Sequence, residues 1–303
     1  MSAQTKEREP VDGPGERAPT GRPDNDRLAC VVIPCFNGEA TIALTLQSLN
    51  NQTVRDRLRV VVVDNGSTDA SVQIASGLAD EVLRGPGTQP FAARNVGLSV
   101  VTEPIYLSLD ADCVPCSDTW AESHIRALQA AGSDVAGSAG PLLPAPSDDR
   151  WASRADATPH PAFADGSPQY AVGGNGAMWT ATLREVGGFP AFRADDVALG
   201  RRLRGEGRSF VWVPEAGVFH RNPPGAASYF RQMRKVGWYA TEAEPERKGA
   251  AAYGLLVAKG TWWIAKEWVT SGYHEGLATT LKVAGHHAGY WDHVRATRQQ
   301  SLS

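Results

Sequence analysis

The sequence predicts an α/β fold in which helices flank a mostly parallel, Rossmann-like sheet, followed by a helical C-terminal extension. Three observations support this class. Between residues 28 and 137, short apolar runs of strand length alternate with segments whose apolar residues recur at helical spacing. Turn residues such as Asp64-Asn65-Gly66 close these runs, as is typical of strands joined by helical crossovers. After Gly225 the spacing is helical almost to the C-terminus.

The individual elements follow from residue type and spacing. Residues 28–33 are almost continuously apolar and end at Pro34, as expected of a strand buried on both faces. Residues 141–168 are rich in Pro, Asp, Ser and Ala and are predicted to form a long surface loop. Further strands are predicted over 58–63, 81–83, 105–109, 135–137, 209–213 and 217–219, and helices over 41–49, 71–78, 91–100, 120–130, 181–186 and 195–204.

Composition excludes several classes of protein. A net charge of −3 lacks the broad basic excess of a nucleic-acid-binding protein, so no nucleic acid partner is expected. The most favourable candidate for a membrane span, residues 250–270, carries Lys259, Lys266 and Glu267, so no transmembrane helix is expected. The N-terminus lacks a secretion signal and the chain has only four cysteines, so we expect a cytoplasmic protein with reduced thiols.

Acidic residues mark three places where a parallel sheet would present its ligand crevice. Asp64 ends one predicted strand, Asp110 and Asp112 follow another, and Asp195-Asp196 begins a helix. Two carboxylates separated by one residue at a strand end can both face a divalent cation. An Asp-x-Asp pattern alone is also compatible with a solvated turn, so its context decides the interpretation.

That context is a series of six motifs in order. They are VVIPCFNGE at 31–39, VVDNGSTD at 62–69, FAARNVG at 91–97, LDAD at 109–112, GGF at 187–189 followed by DDVAL at 195–199, and His220. The series resembles the inverting family 2 glycosyltransferases of the GT-A fold over roughly residues 28–222. The resemblance implies a catalytic domain at 28–225, with a nucleotide-binding half (28–112) and an acceptor half (113–225). Composition predicts a disordered tail at 1–27, because these residues are rich in Pro, Gly and charged residues, and spacing predicts a helical extension at 226–303.

The resemblance also implies a donor site for a nucleotide sugar. Pro34, Phe36 and Glu39 would line the nucleoside pocket, and Asp64 would accept a hydrogen bond from a pyrimidine, which favours a UDP-sugar. A core aromatic and an Asx turn are the plain alternatives for Phe36 and Asp64. Arg94 would lie near the diphosphate, with a surface salt bridge as the alternative.

Metal, base and acceptor residues complete the implied site. Asp112 and His220 would hold Mn²⁺ or Mg²⁺, and Asp110 would contact the ribose or a metal-bound water. Asp196 would be the base that deprotonates the hydroxyl of a sugar or natural-product acceptor, with Asp195 as its less favoured partner. Both would otherwise simply favour a helix N-terminus. The loop Gly173-Gly174-Asn175 would lie under the acceptor, or form an ordinary turn.

Several alternatives remain at this point. Cys113 and Cys116 form a CxxC pattern for which small buried or loop thiols are favoured over a zinc site. Aromatic and basic residues in 226–303 indicate peripheral contact with the inner face of a membrane, a homodimer interface, or a cap on the main domain. A sugar nucleotidyltransferase and a non-catalytic nucleotide-sugar-binding scaffold are the competing functions.

Overall fold

The computed structural model describes residues 26–87, 89–146, 149–155, 167–171, 173–192, 194–243 and 250–300. Within these residues a seven-stranded sheet forms the centre of the molecule, in the order β3-β2-β1-β4-β8-β6-β9. β8 is antiparallel to both of its neighbours, and the other pairings are parallel. Its strands are β1 (Ala29–Cys35), β2 (Leu58–Asp64), β3 (Glu81–Arg84), β4 (Ile105–Leu109), β6 (Val135–Ala139), β8 (Asn175–Trp179) and β9 (Ser209–Trp212).

Helices cover both faces of this sheet, and the alternation of side chains along β1 shows why. Val31 and Ile33 pack into one apolar cluster, whereas Cys30 and Val32 pack into a second cluster on the opposite face. A strand buried on both faces therefore appears as a continuous apolar run. The helices are α1 (Ile42–Asn50), α2 (Ser71–Leu78), α3 (Pro90–Val100), α4 (Trp120–Ala130), α6 (Thr180–Glu185) and α7 (Asp195–Gly205).

A three-stranded sheet lies beside the ligand edge of the large one. Its described strands are β5 (Cys113–Pro115), β10 (Val218–His220) and β7 (Leu142–Pro144), in the order β5-β10-β7. Antiparallel pairing of β5 with β10 sets Cys113 opposite His220. A residue far along the chain is thereby fixed next to the Asp110–Asp112 segment.

The C-terminal extension consists of the long helices α8 (Ala226–Ala243), α9 (Ala250–Thr270) and α10 (Gly272–Gln300). α8 and α10 approach closely because glycines stand at their contact: a Cβ on Gly237 or Gly289 would collide with the backbone of the other helix. α10 also contacts the short helix α5 (Arg150–Ala155), through Arg150 and His274. Among the described residues, no helix is long and apolar enough to cross a membrane.

The predicted fold class is confirmed, with two corrections. The segment 141–168 is not a continuous loop, because it contains β7 and α5 in its described part. Residues 175–179 were not predicted as a strand, yet β8 lies between β4 and β6 near the middle of the sheet. The proposed tail at 1–27 falls almost wholly outside the described residues, and the proposed domain boundaries stay predictions.

Candidate active site

A cavity of about 670 Å³ opens at the carboxyl ends of β1 and β4. The loop after β1 forms one wall, Asp110, Asp112 and His220 form the floor, and α8 with Trp151 of α5 forms the opposite wall. Open α/β sheets bind ligands beyond the carboxyl ends of their strands. The domain built on the large sheet and the C-terminal helices therefore both contribute to the candidate site.

The loop after β1 places an aromatic ring in this cavity. Phe36 is 47% exposed and lines the cavity together with Pro34, so the core-aromatic interpretation of Phe36 is wrong. The next residue, Asn37, adopts a φ of 50°, a left-handed conformation that asparagine tolerates better than most residues. Its amide oxygen accepts a hydrogen bond from the backbone of Thr68, and its N–H donates to Ser67. These bonds fix the loop against its neighbour after β2.

Two acidic residues predicted to contact the nucleoside also brace these loops. The Asp64 carboxylate accepts hydrogen bonds from the N–H groups of Gly66 and Ser67 at 3.1 Å, forming the Asx turn considered as its alternative. Glu39 accepts a hydrogen bond from the backbone of Ala70 at 3.1 Å. Neither carboxylate lines the cavity among the described residues, so their nucleoside contacts stay predictions.

The candidate metal ligands lie together on the cavity floor. His220 Nε2 lies 3.6 Å from Asp112 Oδ2, and one ligand atom each of Asp112, Cys113 and His220 lies within 4.8 Å of the other two. Burial alone would raise the pKa of Asp112, but the hydrogen bond and charge of His220 lower it below its ordinary value. The arrangement therefore offers an ionised carboxylate and an imidazole to a cation. Cys116 is exposed, whereas Cys113 is buried, so the two thiols of the CxxC pattern have different environments.

Arg94 joins the two acidic motifs below this floor. Its Nη2 donates to Asp110 Oδ1 at 2.8 Å, and its Nη1 donates to both carboxylate oxygens of Asp195 at 3.0 and 2.8 Å. Arg94 is only 4% exposed and does not line the cavity, so the surface-salt-bridge interpretation is wrong. A Cβ on Gly173 would lie 2.8 Å from Nη2, so a residue without a side chain lets the guanidinium fit.

The two acidic residues at the start of α7 have different surroundings. Asp195 is 3% exposed and paired with Arg94, whereas Asp196 is half-buried and accepts a hydrogen bond from Gly173 N at 3.1 Å. Burial and the charge of Asp196 raise the pKa of Asp195 to about 6, against the opposing charge of Arg94. Asp196 lies outside the described lining of the cavity and connects to its floor through Gly173 and Gly174. Of the two, Asp196 is the carboxylate with access to solvent.

Comparison with known proteins identifies the family. The model of glycosyl transferase family 2 matches residues 30–185, which is more than half of the chain and includes the Asp110–Asp112 motif. The chain belongs to this family. Glycosyltransferase AglE of Haloferax volcanii is 32% identical over 114 residues, or 35% of this chain and 37% of that protein. An uncharacterized glycosyltransferase of Haemophilus influenzae is 31% identical over 94 residues, and the match again covers 37% of it. The matches thus span little more than a third of either relative.

Solved structures show the same fold over a greater length of this chain. The mannosyltransferase PcManGT of Pyrobaculum calidifontis, solved with GDP-Man and Mn²⁺, superposes with a TM-score of 0.65 at 20% identity, covering 91% of this chain and 88% of that one. TarS of S. aureus with UDP-GlcNAc superposes at 0.53 and 15% identity, covering 89% and 92%. These similarities establish a GT-A fold for this chain.

The segment Gly173-Gly174-Asn175, at the start of β8, has two roles in this member of family 2. Gly174 lies against Asp110, since a Cβ there would be 2.9 Å from Asp110 Oδ2. Asn175 instead is fully buried, and its side-chain oxygen accepts hydrogen bonds from Trp120 Nε1 at 2.8 Å and from His124 Nε2, which lies at 3.1 Å. Its amide donates to Pro141 O and Ala216 O. The Asn175 side chain therefore holds the core together and is not exposed to an acceptor in this structure, and the predicted acceptor contacts of this segment stay predictions.

Sequence reasoning missed the cationic wall of the site. Arg221 after β10, and Arg231 and Lys235 on α8, line the cavity although none was assigned to it. For Arg231 and Lys235, the sequence indication was the helical spacing of polar residues along α8. This spacing did not show which face of the domain the helix covers. Only the packing of α8 shows which face these cations serve.

Proposed function

We propose that this family 2 glycosyltransferase moves a sugar from a nucleoside diphosphate to an acceptor hydroxyl with inversion at the anomeric carbon, in a reaction that needs a divalent cation. The observation that carries the proposal is the pair of Asp112 and His220, 3.6 Å apart on the floor of a cavity whose wall presents the ring of Phe36. A nucleobase, a diphosphate and a cation would then lie next to one another. Such proximity is required for transfer to an acceptor.

The side chains on the cavity floor fit Mn²⁺ or Mg²⁺. Asp112 is 42% exposed and supplies carboxylate oxygens, and His220 supplies an imidazole nitrogen at a distance that one cation can bridge. When bound, the cation would neutralise the charge that develops on the departing diphosphate. Asp110 would contact the ribose or a water on the cation, held in position by Arg94.

Asp196 is proposed as the base. The acceptor oxygen would form its bond to the anomeric carbon while the bond from that carbon to the diphosphate oxygen breaks, and the hydroxyl proton would pass to the Asp196 carboxylate. Asp195 is unsuited to this role because both of its oxygens bind Arg94 in a buried position. The backbone N–H of Gly173 would orient the Asp196 carboxylate.

UDP is the favoured nucleotide, with GDP as the principal alternative. The exposed Phe36 ring supports stacking on a nucleobase. The Asp64 carboxylate retains acceptor capacity beyond its two backbone bonds, which suits the N–H of a pyrimidine. The structural neighbours include complexes with GDP-Man and with UDP-GlcNAc, so the fold accommodates both nucleotides.

Calorimetric titration tests the proposal directly. Wild type and Asp112→Ala would be titrated with UDP, GDP and dTDP, with and without Mn²⁺, and hydrolysis of UDP-sugars would be followed alongside. We expect UDP to bind most tightly and to lose most of its affinity without Mn²⁺ or in Asp112→Ala. Nucleotide binding that is the same without Mn²⁺ and in Asp112→Ala would refute the metal-dependent mechanism. An absence of sugar release would favour the non-catalytic scaffold.

The acceptor is proposed to be a sugar or natural-product hydroxyl. The C-terminal extension carries exposed aromatic side chains that could place the site near a membrane-associated acceptor. Trp262 is 63% exposed, Trp263 and Tyr273 are also exposed, and Lys266 stacks on Trp262. We retain peripheral contact with an anionic membrane as the proposal for this face, with dimerisation as its alternative. Cosedimentation with anionic and neutral vesicles, beside light scattering of the protein alone, separates the two.

A further inference from the structure

The helix α8 directs a stripe of polar residues into the candidate site. Its cavity-lining residues recur at helical intervals, so they occupy one face of the helix: Ser228, Tyr229, Arg231, Gln232, Lys235 and Tyr239. Over this span the stripe is about 16 Å long at a rise of ~1.5 Å per residue. It therefore extends along the cavity well beyond a single contact point.

The cations on this stripe differ from the arginine on the other side of the same helix. Arg234 pairs with Asp292 of α10 and so serves the packing of the extension. Lys235 is exposed and, among the described residues, makes no hydrogen bond or ion pair. Arg231 is exposed and donates to the neutral hydroxyl of Ser228 at 2.8 Å. Two cationic groups thus face the cavity, and neither forms an ion pair within hydrogen-bonding distance in the part of the chain that the structure describes.

Lys235 lines the same cavity as Asp112 and His220, whose side chains form its floor. An ammonium beside a carboxylate that can hold a cation is suited to an anion that bridges both. A diphosphate has that chemistry, because its oxygens can bind a metal ion and a cationic side chain together.

The guanidinium expected to meet the diphosphate has another role. Arg94 donates hydrogen bonds to Asp195 and Asp110, and its buried side chain does not line the cavity. The side-chain cations that line the cavity instead include Arg221, Arg231 and Lys235. The stripe on α8 lies beyond residues 30–185, the stretch that the family model matches, so family membership does not predict it.

We propose that Lys235 and Arg231 of α8 bind the diphosphate of the donor, so that the C-terminal extension completes the donor site. This inference rests on the proposed function. Lys235 acts as a point charge near the cation, and the planar fork of Arg231 contacts oxygens one helical turn away. The two side chains stabilise the bound donor and the departing nucleoside diphosphate alike.

Nucleotide titrations of α8 variants test this inference. With Mn²⁺ present, UDP, GDP and UMP would be titrated into wild type, Lys235→Ala, Lys235→Arg and Arg231→Ala. We expect Lys235→Ala to weaken binding of the preferred diphosphate at least about tenfold, the effect of losing one hydrogen bond to a charged group. Lys235→Arg should restore much of that loss, and UMP affinity should change less than UDP or GDP affinity.

A control on the neighbouring helix separates local contact from general charge. Lys259→Ala removes an exposed lysine of α9 outside the cavity and should leave all three affinities unchanged. Equal diphosphate affinity in wild type and Lys235→Ala would overturn the inference while the proposed function stands. Unchanged nucleotide affinity with a raised KM for an acceptor would assign the stripe to the acceptor instead, which also overturns it. If wild type bound no nucleotide, the proposed function itself would fail.

Discussion

Replacing Arg94 by Met should be among the most damaging single changes in this protein. The substitution keeps a long apolar side chain but removes three hydrogen bonds, two to Asp195 and one to Asp110. Asp195, at 3% exposure, then keeps a buried charge without a partner. Breaking one side of a buried ion pair costs about 3–5 kcal/mol, a large part of the ~5–15 kcal/mol that stabilises a typical domain.

The same change should alter how stability depends on pH. In wild type the charge of Arg94 holds down the pKa of Asp195, which burial nevertheless raises to about 6. Without Arg94 this pKa rises further, so the folded variant binds a proton that the unfolded chain, near pH 4, has already released. The stability of Arg94→Met should therefore fall as pH rises from 4 to 8, and its deficit against wild type should be larger at pH 8 than at pH 5.

Urea unfolding at pH 5 and pH 8 measures both effects. Arg94→Lys, which keeps the charge but loses the two-pronged contact, should lie between wild type and Arg94→Met. Adding Asp195→Asn to Arg94→Met should recover part of the stability at pH 8, because the buried charge is gone. A deficit below about 1 kcal/mol, or one that is the same at both pH values, would refute the argument that Arg94 compensates a buried carboxylate.

Three further predictions concern the base and the core behind the site. Asp196→Asn should lower kcat by about 10²–10⁴-fold with UDP affinity unchanged, and a KM effect alone would argue against a base. Asn175→Ala removes the hydrogen-bond partner of the buried Trp120 N–H and of the buried Ala216 carbonyl, so urea unfolding should show a loss of about 2 kcal/mol or more; a loss near zero would contradict the buried network. Burial lowers the pKa of His124 to about 4, so wild type should lose up to about 3 kcal/mol as pH falls from 6.5 to 4, because the unfolded chain takes up a proton there. His124→Gln should lack that component of the acid profile, and identical profiles would refute it.

The sequence predicted those parts of the fold whose signals are local. β1 and β2 are apolar runs of strand length, and the structure places a strand at each. β8 was missed because Asn175–Trp179 is short and mixes small and polar residues, so no alternation of side chains distinguishes it. Its place in the sheet comes from pairing with β4 and β6, which no local pattern encodes.

The same limit applies to the candidate site. Asp112 and His220 could be named as partners because they occupy motif positions, and the structure brings them within 3.6 Å. The burial of Arg94 and the separation of Asp195 from Asp196 depend on contacts across about 100 residues of chain, as the bond from Arg94 to Asp195 shows. Helical spacing on α8 indicated an amphipathic helix, but which residues face the cavity follows only from its packing against the domain.

The position of β8 bears on how the polypeptide folds as it is synthesised. The strands β1, β2, β3 and β4 can pair as soon as residue 109 has left the ribosome. The outer edge of β4 stays unpaired until residues 175–179 have been synthesised. β6 joins the sheet only through β8, so until residues 175–179 emerge β6 has no strand partner and the outer edge of β4 stays open. During this interval a nascent chain is exposed to pairing with other chains. Ribosome stalling before residue 175 should consequently increase aggregation far more than stalling within the C-terminal helices.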